Sequence, residues 1–149
     1  IQFLGAMSPE DVRRHMEKAG IYLFTSDRQE GWGAVLNEAM NSGCAVVAGD
    51  AAGATPFLVQ DGANGSVYHS GDVQELYEKV RRLLDDPSTQ REFGSAAYRT
   101  ITGLWNAETA AERFLQLSQA LLDGRDATKL FADGPCSPAS LLREDWYRK

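Results

Sequence analysis

Short apolar runs alternate with amphipathic stretches over the first half of the chain. The runs Ile21 to Thr25, Cys44 to Ala48 and Ser66 to Tyr68 are bounded by glycines and polar residues, which is typical of buried strands. Apolar positions between them recur with a helical spacing. Strands that alternate with helices pair in parallel through right-handed crossovers. The pattern therefore predicts an α/β fold built on a Rossmann-like parallel sheet.

Capping residues mark where the predicted helices begin and end. Ser8 followed by Pro9 favours a helix start, because a serine side chain accepts hydrogen bonds from free backbone N–H groups and proline suits the first helical position. That helix is predicted to end at Gly20. A second helix is predicted over residues 33–42 and a short one over residues 56–59.

The second half of the chain is predicted to be mainly helical. An apolar stripe from Val73 to Leu84 indicates one helix, and a second is predicted from Thr89 to Thr100. A third begins after the cap Asn106, and its inner face is predicted to carry Phe114, Leu117, Leu121 and Leu122. The helices follow the sheet and end near residue 123. Residues 1–123 are thus predicted as the folded α/β part, and residues 124–149 as a loosely structured C-terminal extension.

The chain opens at Ile1-Gln-Phe-Leu4, which we predict to be a strand. One side of this strand has no partner among the predicted elements, and an unpaired strand edge invites pairing with another chain segment. We expect the edge to be covered by an N-terminal part of the same protein or by a second copy.

Composition and charge narrow the possible function classes. The 149 residues carry 15 Lys+Arg against 21 Asp+Glu, so the net charge of −6 argues against a nucleic-acid binder. No apolar run approaches the roughly 18 residues of a membrane span, and no signal peptide is recognised. Cys44 and Cys136 lie far apart without partners, which argues against a zinc site. A cytoplasmic protein without a metal is expected.

The most unusual loop is predicted to follow the strand that ends at Thr25. Ligands of open parallel sheets bind beyond the carboxyl ends of the strands, and Glu30-Gly-Trp-Gly33 lies there at the entry to a helix. Glycines allow close backbone approach, and a helix N-terminus favours anions, so the loop is a candidate phosphate site. The alternative is a tight turn in which Trp32 packs on the core.

Glu38 strengthens the case for ligand binding. It lies in the second turn of a helix that is apolar on nearly every side, and a buried carboxylate needs a partner. It could pair with an arginine or cap a backbone group, but a carboxylate near the strand ends of a nucleotide-binding fold commonly binds the ribose hydroxyls.

Several ordered motifs resemble one known family. Glu30-Gly-Trp-Gly33, the second glutamate Glu38 eight positions later, Gly53-Ala-Thr-Pro56 and Asp61-Gly-Ala-Asn-Gly65 resemble the C-terminal donor-binding domain of family 4 (group 1) retaining glycosyltransferases. The similarity runs from about Phe3 to Leu122. It implies the GT-B fold, of which residues 1–123 would be the C-terminal part of the donor domain.

The resemblance implies a role for each site residue. Glu30 would be the catalytic-site residue that contacts the donor sugar, and Glu38 would bind the ribose of a nucleoside diphosphate. Backbone amides around Trp32, Gly33, Ala34, Val35 and Leu36 would hold the sugar and the distal phosphate. Transfer in this family retains the anomeric configuration and needs neither metal nor cofactor.

Two departures from the family pattern are visible. Phe57 stands where the family usually has a glutamate. The pyrophosphate-binding arginine and lysine lie in earlier units of the domain in this family, and the 149 residues contain no counterpart of them or of the acceptor-binding domain. The isolated chain is therefore expected to be inactive, and the whole enzyme could associate peripherally with a membrane.

Other functions remain open at this point. Glu30 and Glu38 could be the acid and base of a glycoside hydrolase, although a hydrolase gives no reason for the glycine-flanked helix start. A non-catalytic Rossmann-like nucleotide-binding module and a GT-B nucleotide-sugar epimerase are the further alternatives.

Overall fold

The computed structural model describes residues 1–139, and helices and strands alternate along most of this length. The elements in chain order are α1 (Pro9–Lys18), β1 (Ile21–Phe24), α2 (Ala34–Asn41), β2 (Ala45–Gly49), α3 (Thr55–Leu58), β3 (Ser66–Tyr68), α4 (Val73–Asp85), α5 (Pro87–Gly103) and α6 (Ala107–Leu122). Every helix and strand predicted after Ser8 is present, so the α/β prediction is confirmed.

Side-chain caps explain where the long helices start. Ser8 accepts a hydrogen bond from the N–H of Asp11, and Asn106 does the same for Thr109. Asp86 caps α5, which is why this helix begins at Pro87, two residues before the predicted start at Thr89. Each cap satisfies a backbone donor that the helix itself leaves free.

The sheet has three parallel strands in the order β1-β2-β3. Ile21 lies opposite Ala45, and Val47 lies opposite Ser66. Every residue of the central strand β2 is buried. Successive residues of a strand point to opposite faces, so Val46 and Val47 belong to two separate apolar clusters. The sheet is therefore covered on both faces.

The α6 helix does not bury the face that its sequence predicts. Phe114, Leu121 and Leu122 are exposed, Leu122 by 83% of its surface, whereas Ala120 is buried. Leu117 is half-buried. Apolar spacing identifies an amphipathic helix, but it does not show whether other residues of the same chain cover the apolar stripe. The predicted inner face was wrong for those three residues.

The first residues also differ from the prediction. Ile1 to Leu4 form no strand, and Ile1, Phe3 and Leu4 are exposed. A strand is stabilised by hydrogen bonds to a neighbour, and no strand of the described chain lies beside this segment. The edge strand at this end of the described sheet is instead β1, where Leu23 is 45% exposed.

Part of the C-terminal extension contacts the preceding helical region. Gly134 is buried close to Leu104, and Arg113 donates hydrogen bonds to the carbonyls of Asp133 and Pro135. The Arg113 guanidinium also lies 4.7 Å above the ring of Phe131. Phe131, Asp133, Gly134 and Pro135 therefore contact residues of the helical part. Residues 140–149 of the predicted extension lie outside the described residues, and the boundary at residue 123 stays a prediction.

Replacing Asn64 by alanine is expected to lower the free energy of unfolding by about 2 kcal/mol. The buried Asn64 amide accepts from the N–H of Gln60 at 2.7 Å and donates to the carbonyl of Leu58 and the hydroxyl of Thr100, both at 2.9 Å. Alanine would leave buried polar groups without partners. Urea unfolding measures the loss, and the exposed Gln60→Ala variant is the control. Equal stability of the two variants would contradict this assignment.

Candidate functional site

Three loops meet at one edge of the sheet, because β1, β2 and β3 are parallel and their carboxyl ends coincide. These loops are residues 25–33 after β1, residues 50–54 after β2 and residues 69–72 after β3. The predicted site loop is the first of them. The second of them contacts it directly.

The start of α2 is open to a ligand. Gly33 is the N-cap residue, with a left-handed φ of 85° and no side-chain cap. A Cβ there would lie 2.4 Å from the ring of Phe24, so the position needs glycine for both conformation and space. The N–H of Leu36 already donates to the Gly33 carbonyl at 2.9 Å. Of the other predicted phosphate-binding amides, those of Ala34 and Val35 lie in the first turn of α2, and those of Trp32 and Gly33 directly precede it.

Trp32 is held on three sides but keeps an exposed surface. Its ring stacks on Phe57 with 5.7 Å between centroids and lies 5.8 Å from Trp105. Its indole N–H donates to Asn37 Oδ1 at 2.8 Å. The side chain is nevertheless 39% exposed. Phe57, the departure from the family pattern, thus serves as an aromatic support for the site loop.

Residues 50–54, the loop after β2, contact the backbone of the site loop. The N–H of Ala54 donates to the carbonyl of Trp32 at 2.9 Å. Gly53 lies so close to Gly31 that an added Cβ would be 1.7 Å from the Gly31 carbonyl oxygen. Only glycine permits this approach, and the backbone of residues 31–32 is positioned by it.

Glu30 lies half-buried in the site loop, where its carboxylate can reach a bound molecule. Its backbone N–H donates to the carbonyl of Asp27 at 3.0 Å. Together with Thr25, Ser26, Asp27 and Gln29 it lines an open cavity of about 410 Å³. A carboxylate there can accept hydrogen bonds from hydroxyl groups of a polar ligand.

Glu38 is exposed, so the expectation of a buried carboxylate was wrong. The α2 helix packs through the fully buried Leu36, Ala39 and Met40, which turns Glu38 toward solvent. The carboxylate lines a groove of about 320 Å³ between α1 and α2, and Arg13 lines the opposite side. Burial, and next the charge of Glu38, raise the pKa of Tyr22 in the adjacent strand. Glu38 is therefore available to a ligand in this groove.

Asp50, His69 and Ser70 form a cluster that the sequence analysis missed. Asp50 Oδ2 lies 2.8 Å from His69 Nδ1, and Asp50 Oδ1 accepts from the N–H of Ser70 at 2.9 Å. The Ser70 hydroxyl in turn accepts from the N–H of Ala51 at 3.1 Å. Burial acts to raise the pKa of Asp50, but the hydrogen bonds from Ser70 and His69 outweigh it and lower the pKa. The Asp50 carboxylate is thus held in its charged form.

Comparison with known proteins decides the family. The family model described as glycosyl transferases group 1 matches residues 1–100. The chain belongs to this family. The loop from Glu30 to Gly33 and Glu38 lie within the matched range.

A curated relative supports the assignment to the group 1 family. The sulfoquinovosyl transferase SQD2 of Arabidopsis thaliana is 31% identical over 122 residues, which cover 80% of this chain and 24% of SQD2. The chain therefore spans about a quarter of the length of this relative.

Solved structures of glycosyltransferases share the fold. Sucrose-phosphate synthase of Thermosynechococcus elongatus superposes with a TM-score of 0.70 and 27% identity, over 83% of this chain and 30% of that one. The HepE protein of Anabaena in complex with UDP-glucose gives a TM-score of 0.68 and 27% identity, over 80% of this chain and 32% of that one. The predicted GT-B type of α/β fold is confirmed.

Within residues 1–139, no three His, Cys, Asp or Glu side chains are grouped so that they could hold a metal ion. No helix in the described part of the chain has both the length and the apolar character needed to cross a bilayer.

Proposed function

We propose that the chain binds a nucleoside-diphosphate sugar at the carboxyl edge of its sheet. The observation that carries the proposal is the uncapped start of α2 at Gly33, with Glu30 three positions before it and Glu38 five positions after it in the sequence. Membership of the group 1 family and the complex of HepE with UDP-glucose support it. The protein that contains this chain would transfer the glycosyl group to an acceptor with retention of configuration.

The proposed roles follow from the position of each group. The amides of Ala34 and Val35 point from a helix N-terminus, where partial positive charge favours a phosphate. Glu30 would accept hydrogen bonds from the sugar hydroxyls, and Glu38 would do so from the ribose hydroxyls in the groove beside α1. We propose that no metal or other cofactor takes part, as the family resemblance implies.

The edge of β1 supports the proposed partner. Its outer side has no strand beside it in the described chain, and Leu23 is 45% exposed there. We propose that a strand from the N-terminal part of the same protein, or from a second copy, pairs with this edge. That part would supply the pyrophosphate-binding arginine and lysine, so the chain alone would be inactive. We propose a cytoplasmic location, with peripheral membrane association in the whole enzyme.

Replacing Glu38 by glutamine is expected to weaken nucleotide-sugar binding about tenfold, because a charged hydrogen-bond acceptor for the ribose is lost. Calorimetric titration of the whole protein with UDP- and GDP-sugars measures the change. Glu17→Gln is a matched control, since Glu17 is an exposed glutamate on the neighbouring helix α1 that does not line the groove. Unchanged affinity in the Glu38 variant would overturn the ribose-binding role.

Product analysis tests the reaction itself. The whole protein is incubated with a labelled nucleotide sugar, with and without an acceptor. Glycosylated acceptor with retained configuration supports the proposal. Free sugar alone would identify a hydrolase, an epimerised nucleotide sugar would identify an epimerase, and binding without turnover would identify a non-catalytic module. Each of these last three outcomes overturns the transferase proposal.

A further inference from the structure

Asp50 and His69 join the carboxyl ends of β2 and β3 through reciprocal hydrogen bonds. Asp50 contacts the His69 ring at 2.8 Å and the Ser70 N–H at 2.9 Å, while the Ser70 hydroxyl accepts from Ala51 at 3.1 Å. The N–H of His69 also donates to Glu75 Oε2 on α4 at 2.7 Å. The cluster therefore fixes the first residues of the loop after β2 with respect to β3 and α4.

The same loop contacts the proposed donor site at its other end. Residues 50–54 run from Asp50 to Ala54, whose N–H donates to the Trp32 carbonyl at 2.9 Å. Gly53 lies against the Gly31 carbonyl, with no room for a Cβ between them. Continuous short contacts thus connect His69 to the backbone of the site loop. Packed elements of this kind transmit a displacement at one end to the other.

A second pair at the opposite end of β3 provides a comparison. Asp61 accepts from the N–H of Val67 at 2.8 Å and pairs with Lys79 at 3.1 Å. The Asp61 and Asp50 carboxylates both bond a backbone N–H and a basic side chain, and the pKa of each is lowered despite the opposing effect of burial. Asp61 lies at the amino end of β3, away from the three loops of the site. The Asp61–Lys79 and Asp50–His69 pairs are therefore chemically similar, but only the second contacts the loop of residues 50–54.

We propose that Asp50 and His69 are positioning residues of the donor site. They hold the loop of residues 50–54 in the place from which Gly53 and Ala54 set the backbone of Gly31 and Trp32. This role rests on the proposed function, because the site loop is assigned there to donor binding. Neither side chain contacts the substrate.

The test compares Asp50→Ala with Asp61→Ala in the whole protein. Asp50→Ala is expected to raise the KM for the nucleotide sugar about tenfold and to shift the amide resonances of Gly31 and Gly53 and the indole N–H resonance of Trp32. Asp61→Ala is expected to leave the KM and these resonances unchanged. Asp50→Asn is expected to restore the KM to within about threefold, because its amide oxygen can accept from Ser70 and its NH₂ can donate to the other tautomer of His69.

His69→Ala keeps the bond between Asp50 and Ser70 and serves as the second variant if Asp50→Ala does not fold. It is expected to shift the same resonances. Unmoved Gly31 and Trp32 resonances in both variants, or equal changes in the Asp50 and Asp61 variants, would overturn the proposal. The resonances are recorded without donor, so they report on the loop independently of binding. A wild-type protein that binds no nucleotide sugar would overturn the proposed function, and the donor-positioning role with it, even where the resonances shift.

Discussion

Replacing Gly53 by alanine is expected to lower the free energy of unfolding by about 3 kcal/mol and to weaken the affinity for the donor. The added Cβ would lie 1.7 Å from the carbonyl oxygen of Gly31, which is a backbone atom and cannot rotate away. The two loops would have to separate, which breaks the hydrogen bond from Ala54 to the Trp32 carbonyl. This contact thus contributes to both the stability and the geometry of the site.

Urea unfolding and donor titration measure the two effects of the Gly53 substitution. Gly103→Ala is the control, since an added Cβ at the end of α5 meets nothing within 4 Å and alanine favours the helix. We expect the control to be as stable as the native protein or slightly more stable. A Gly53→Ala variant that unfolds and binds donor like the control would show that the two loops are not in contact in solution.

Replacing Glu30 by glutamine is expected to lower the rate of glycosyl transfer about a hundredfold. Glutamine keeps the size of the side chain but removes the charge that would strengthen hydrogen bonds to the donor sugar. Glu30 lines the cavity beside the open end of α2 and is half-buried, so it would face a sugar whose phosphate is held by the helix. Steady-state kinetics with a saturating acceptor measures the loss.

The kinetic pattern separates the two glutamates. We expect Glu30→Gln to lower kcat, since its hydrogen bonds serve the group that is transferred, whereas Glu38→Gln raises the KM for the donor. Glu112→Gln on the exposed side of α6 is the control for the loss of one negative charge. A Glu30 variant with native kcat would remove Glu30 from the catalytic site.

The helices and strands of this chain can be predicted from the sequence because a few consecutive residues mark each of them. Ser8 and Asn106 cap the helices that they were expected to cap. The apolar runs around Val46 and Val67 form strands, and their alternation with helices determines the parallel order. The site loop was found in the same way, since a glycine-flanked helix start after a strand is a feature of a few consecutive residues.

The remaining features depend on contacts between distant segments. Glu38 was expected to be buried because its helix is apolar, but the helix buries Leu36, Ala39 and Met40 and leaves Glu38 exposed. The partner of Asp50 lies nineteen residues away at His69, so no single motif contains both. Polar residues directly after two buried strands were the signal available in the sequence. Parallel pairing of those strands is what brings the two side chains together.

The position of β2 in the middle of the sheet affects how the chain folds. Each of its two neighbours is reached only through a crossover that contains a helix, so no hairpin can form first and serve as a template. Closing such crossovers costs conformational entropy before any hydrogen bond between the strands can offset that cost. The sheet is therefore expected to form late and cooperatively, and slowly for a chain of this size. Until it forms, the apolar residues of β2 remain exposed, so dilution and low temperature should favour refolding over aggregation.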